Sequence, residues 1–148
     1  FISTFAIGNL SVFPAILILL LIVFLGIIFD MIGVAVLSCE EAAFHAKASK
    51  KITGSRECIK LIKQANKTSS VCNDVIGDIC GIVSGSISAS LVVLLLDKPI
   101  VSILLTAIVS SFTVGGKAIG KIIAIERCEE IVFVVGKILS KIPIISKK

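Results

Sequence analysis

The sequence predicts an all-α integral membrane protein with three transmembrane helices and juxtamembrane amphipathic helices. Three observations carry this expectation. Hydrophobic residues make up 56% of the 148 residues, and the mean hydropathy of +1.10 lies far above that of a soluble domain. Three long apolar runs follow one another along the chain. The basic residues collect in two places, after the first run and after the third.

The first span covers about residues 12–38, where the only charge is Asp30. That length exceeds the roughly 20 residues a helix needs to cross the hydrocarbon. Pro14 stands near its start, where a missing amide hydrogen costs little because the first helical amides are unpaired anyway.

A basic juxtamembrane loop follows over residues 39–68, with Lys47, Lys50, Lys51, Arg56, Lys60, Lys63 and Lys67. Thr53-Gly54-Ser55 breaks it into two short helices. In the second, Cys58, Ile59, Leu61, Ile62 and Ala65 alternate with lysines at helical spacing, a pattern expected to lie on the bilayer surface.

The second span covers about residues 69–96, polar at its start with Asn73, Asp74 and Asp78, then rich in small residues from Gly77 to Ala89. Small residues four apart let helices approach closely in lipid. Asp97-Lys98-Pro99 reads as a tight turn, and the third span covers about 100–115, up to Gly115-Gly116. Residues 117–142, with Lys117, Lys121, Arg127, Lys137 and Lys141, read as one or two juxtamembrane amphipathic helices.

The whole chain, 1–148, is thus read as a single membrane domain, with no fixed-period repeat and no room for a second soluble domain. It opens with Phe1 and no basic n-region, as a fragment or processed product would. Lys and Arg concentrate in the 47–67 loop and the C-terminal segment, which by the positive-inside rule puts the amino end outside and the carboxyl end in the cytoplasm. Trp and Tyr are absent, so no aromatic belt marks the interfaces.

The net charge of +5 does not point to nucleic acid, because the basic residues flank apolar runs instead of forming a soluble face with stacking aromatics. Anionic lipid headgroups are the partner expected for them. The five cysteines hold no CxxC pair and leave one over in any disulfide scheme, so they read as reduced, small buried residues. With one histidine and no nucleophile triad, P-loop or dinucleotide fingerprint, an enzyme is not expected. A membrane-lytic peptide would need a soluble form, and no polar face is large enough to hide three apolar spans.

The informative residues are the acids inside the spans, each costing a few kcal/mol by insertion scales. On a helix Asp30, Val34, Ser38 and Glu41 share one face. Asp30 and Glu41 would stand about 16 Å apart along the axis, too far for one ion, whereas Ser38 and Glu41 are one turn apart. Asp74 and Asp78 are neighbours in the same way. Carboxylate, hydroxyl and carbonyl oxygens suit a hard cation such as Mg²⁺, while zinc or copper would recruit His and Cys. Ser38, Glu41 and Asp78 are therefore the candidate metal residues, with Asp30 and Asp74 as secondary acidic candidates. The competing reading places these acids at the cytoplasmic interface, paired with Lys117, Lys121 or the loop lysines.

The stretch SCEEAAFHAKASKKI after the first span resembles the start of the transmembrane domain of CorC/CNNM-type (cyclin M-like) magnesium transporters, whose motif reads Ser-Gly-x-Glu-x-Ala. Ser38, Glu41 and Ala43 match it, with Cys39 in the glycine position. IGDIC at Ile76 to Cys80 resembles the family's Gly-Asn pair, with Gly77 matching and Asp78 replacing the asparagine. GGKAIGKIIAIERCEEI resembles Gly-Glu-x-x-Pro-Lys-x-x-Ala followed by Asn-Pro-Glu. Gly116, Lys121, Ala124 and Glu129 match, while Lys117 replaces the acid, Gly120 the proline and Cys128 the second proline.

The resemblance implies three spans, a belt of juxtamembrane helices and a homodimer, with an ion held at positions like Ser38 and Asp78. The expected function is that of a divalent-cation (Mg²⁺) transporter domain in the plasma (inner) membrane, without the CBS domains that usually follow. The alternative is a non-transporting membrane subunit that binds a partner through its small-residue helix face. The exchanges at Asp78 and Lys117 look coupled, so these two are expected to be charge partners.

Overall fold

The computed structural model describes residues 12–94 and 99–141, and every element among them is helical. In order these are α1 (Val12–Ser38), α2 (Glu41–Ser49), α3 (Ser55–Lys63), α4 (Ala65–Ser70), a π-helical segment (Val71–Gly77), α5 (Asp78–Leu94), α6 (Pro99–Glu126) and α7 (Cys128–Lys141). Three stretches are long and apolar enough to cross a membrane: Phe13–Ser38, Ala65–Val93 and Ile100–Glu126. The chain has the architecture of an all-α integral membrane protein. The turn expected at Asp97-Lys98, the end of the second span and residue 142 lie outside the described residues.

The helix of the second span begins at Ala65, ahead of the expected start at 69, and passes through the π segment without a break. The third helix runs through Gly115 and Gly116 to Glu126, where the sequence suggested an end. Glycine costs about 1 kcal/mol in a helix interior, but tertiary contact decides here. A β-carbon on Gly116 would meet Ile27 Cδ1 at 2.5 Å, and one on Gly120 would meet Met31 Cγ at 2.8 Å. Gly116 and Gly120 of α6 are the sockets into which α1 packs.

Helix α1 is the centre of the molecule. It packs against the second span along α4, the π segment and α5, against α6, and at its C-terminal end against α7. Its buried stripe runs Ala15, Leu19, Val23, Ile27, Asp30 at steps of four, four, four and three, so one face is covered from end to end. Gly26 and Gly33 continue that face, and a β-carbon on Gly26 would stand 3.1 Å from Cys80 Cβ. Toward the α5–α6 connection the three spans meet through Ala15, Leu19, Ile87 and Leu91, with Leu105 and Val109 packed against them.

The apolar face of α3, expected to face the bilayer, packs instead inside the protein. Cys58 is fully buried in a cluster with Ala35, Val36, Phe44, Ala124 and Val132. The approach of α3 to α7 depends on two glycines. Gly54 adopts φ +94°, a left-handed conformation that side chains with a β-carbon rarely accept, and its carbonyl oxygen would be 2.8 Å from a β-carbon on Gly136. Cys58 Sγ donates to the Val132 carbonyl at 3.3 Å across this crossing. Arg56, Lys60 and Lys63 stay exposed on the opposite face.

Candidate functional site

Asp30 stands on the buried stripe of α1, within the first span, and its carboxylate Oδ2 is buried without a hydrogen-bond partner. The Lys121 ammonium from α6 lies 3.7 Å from that oxygen. This is an ion pair but not a hydrogen bond, for which N–H···O distances fall at about 2.7–3.2 Å. Both residues belong to helices long and apolar enough to cross a membrane, Asp30 eight residues and Lys121 five residues before the helix end.

The π segment faces the same part of α1. Asn73 lies so close over Gly33 that a β-carbon there would collide with its amide. Its Nδ2 donates to Ser69 Oγ at 3.2 Å, while its Oδ1 is buried with no partner. Gly33 follows Asp30 by three residues on the same face, roughly 4.5 Å along the axis at 1.5 Å per residue. The Asn73 amide therefore lies over the same face of α1 that carries Asp30, whose ion-paired Oδ2 has no hydrogen bond. Unpaired buried acceptors are expensive, and a π bulge beside them is the geometry often found at functional positions.

The residues singled out from the sequence separate. Ser38 Oγ donates to the Val34 carbonyl at 2.9 Å, back into its own helix. Glu41 lies beyond the break after Ser38, where it meets His45 Nε2 at 3.1 Å and Lys63 Nζ at 3.5 Å. The side chains of Asp74 and Asp78 are exposed on the single chain and take part in no hydrogen bond or ion pair among the described residues. Lys117 is half-buried, one turn before Lys121 on the same face of α6, and it forms no ion pair with Asp78. The charge partner of Lys121 is Asp30, so the expected coupling of Asp78 with Lys117 gives way within the chain to Asp30 with Lys121. Among the described residues no three His, Cys, Asp or Glu side chains form a group able to hold a metal ion.

At the ends of α1 and α6 the chemistry is structural. Lys47 bonds Glu129 Oε2 at 3.2 Å and sits over the rings of Phe44 and Phe133 at 5.0 and 5.5 Å, tying α2 to α7. Burial pushes the Cys58 thiol up to about 11. Burial, with the neighbouring Cys128 and Glu129, also holds the Cys39 thiol well above its ordinary range. Both thiols are therefore neutral at physiological pH, packing groups without the thiolate character that reactivity requires.

Comparison with protein-family models, with curated proteins and with solved structures finds no match for this chain.

Proposed function

We propose that the chain is a divalent-cation transporter domain, with Mg²⁺ as the transported ion and Asp30 as the residue that receives it. The observation that carries this reading is the buried Asp30 carboxylate oxygen with no hydrogen bond, on the face of α1 that the Asn73 amide overlies. A charged side chain inside a span is costly and marks an ion or proton pathway by default. Oxygen donors of this kind suit Mg²⁺, which keeps several of its waters and asks for one or two carboxylates. The resemblance to CorC/CNNM transporters supports the same class, with the site moved inward from Ser38, Glu41 and Asp78.

In this reading α2, α3 and α7 lie at the cytoplasmic surface, their lysines against anionic headgroups, and the amino end is outside. The domain works as a homodimer in which the second copy covers the exposed acids of the second span. The test is the Mg²⁺ dependence of thermal unfolding in lipid nanodiscs, because an ion that binds the folded state raises its melting temperature with concentration. Mg²⁺ is expected to stabilise the wild type, and Asp30→Asn and Asn73→Ala to remove most of the effect. An Asp30→Asn variant with the wild-type Mg²⁺ dependence removes Asp30 from the site.

One observation favours the second reading, a non-transporting subunit. Gly81 and Gly85 of α5 are open, with no atom within 4 Å of an added β-carbon, so this small-residue stripe is uncovered within the chain. It suits a partner helix. Cross-linking through Gly81→Cys separates the two, since a homodimer yields a product of twice the chain mass and a foreign subunit does not.

A further inference from the structure

We propose that the Lys121 ammonium is a tethered competitor for the cation at Asp30, filling the site whenever the ion is absent and leaving it when the ion enters. The inference rests on the cation-site reading above and names how that site is regulated.

The geometry is that of an ion pair without a hydrogen bond. Nζ lies 3.7 Å from Oδ2, so the ammonium neutralises the carboxylate without occupying its lone pairs. The two side chains also differ in exposure, 9% for Asp30 and 53% for Lys121. The acid is fixed in the core, and the base reaches it from outside on a flexible four-carbon stem. The backbone that carries the lysine cannot drift, because Gly120 beside it is pressed against Met31 and Gly116 against Ile27. Lys121 therefore always starts within reach of Asp30.

Mg²⁺ and an ammonium on one buried carboxylate repel each other, so entry of Mg²⁺ favours withdrawal of the ammonium in the proposed exchange. When the ion departs, the lysine returns and no bare carboxylate is left in the span, the state that membrane burial penalises most. The empty site is thereby stabilised, and the affinity for the ion is lowered to a level from which it can be released.

The test uses the full chain in nanodiscs with Mg²⁺ alone as the probe. Lys121→Met keeps the length of the side chain and removes its charge, and it is expected to bind Mg²⁺ about tenfold more tightly, the usual scale of coupling between linked ligands. Lys121→Arg keeps the charge and is expected to bind no more tightly than the wild type. On the wild type itself, amine acylation of Lys121, read by peptide mass spectrometry, is expected to accelerate when Mg²⁺ is added. This measurement stands even if Lys121→Met fails to fold. Asp30-dependent Mg²⁺ binding that Lys121→Met leaves unchanged or weakens, or acylation indifferent to Mg²⁺, overturns the competitor while leaving the cation site standing. Absence of binding in both wild type and Lys121→Met overturns the cation site and the competitor together.

Discussion

Replacing Gly33 and Gly136 by alanine is expected to separate function from stability. At Gly33 the added methyl meets the tip of the Asn73 side chain, which can rotate away. The change loses the Asn73 to Ser69 hydrogen bond at 3.2 Å, worth about 1 kcal/mol, and gains about 1 kcal/mol of helix propensity. Folding stability should therefore stay within about 1 kcal/mol of wild type, while Mg²⁺-dependent stabilisation falls because the amide oxygen has left the site. At Gly136 the methyl meets the Gly54 carbonyl oxygen at 2.8 Å and the Cys58 amide nitrogen at 3.2 Å. Both are backbone atoms, and neither can rotate out of the way. Overpacking of this kind costs roughly 1–3 kcal/mol, and the strained Cys58 bond to the Val132 carbonyl costs about 1 more. Against the same propensity gain, the net loss is about 1–3 kcal/mol. Thermal unfolding in nanodiscs with and without Mg²⁺ reads both effects at once. Gly33→Ala as destabilised as Gly136→Ala, or retaining the wild-type response to Mg²⁺, refutes the assignment of Asn73 to the site.

Two further outcomes follow from the surface helices. Lys47→Ala is expected to cost about 1 kcal/mol, the sum of a partly exposed ion pair and its cation–π contacts, and to raise amide hydrogen exchange in α7; unchanged exchange there would show that Lys47 does not hold α7. Arg56→Cys, at an exposed position of α3 and in a background without native cysteines, is expected to resist impermeant thiol reagents applied outside intact cells, and rapid labelling would invert the proposed topology.

The number of spans was legible because it depends on composition and length alone, and the first span was readable to within its ends for the same reason. The extent of the third helix was not. Gly115-Gly116 is a sound stop signal in water, yet here Gly116 receives a side chain of α1, a contact between residues 27 and 116 that no local pattern records. The amphipathic pattern of α3 correctly marked a helix with one buried face, but periodicity cannot say whether the apolar partner is lipid or protein. Asp30 was visible as a charge in the wrong place, and Lys121 as one of several available bases. What selected Lys121 was the α1–α6 register set by the glycine sockets. The approach of Asn73 to Gly33 was not legible, because a π segment shifts side chains without any residue type announcing it. The one-turn spacing read for Ser38 and Glu41 assumed one continuous helix, and the helix breaks after Ser38.

The central claim is that a cation crosses through the site at Asp30, and Mg²⁺ uptake by proteoliposomes tests it most directly. Wild-type protein and Asp30→Asn, reconstituted in equal amounts and followed with isotopic Mg²⁺, are expected to differ, with uptake above protein-free vesicles only in the wild type. Uptake by Asp30→Asn at the wild-type rate, or wild-type uptake no greater than that of protein-free vesicles, would contradict the claim.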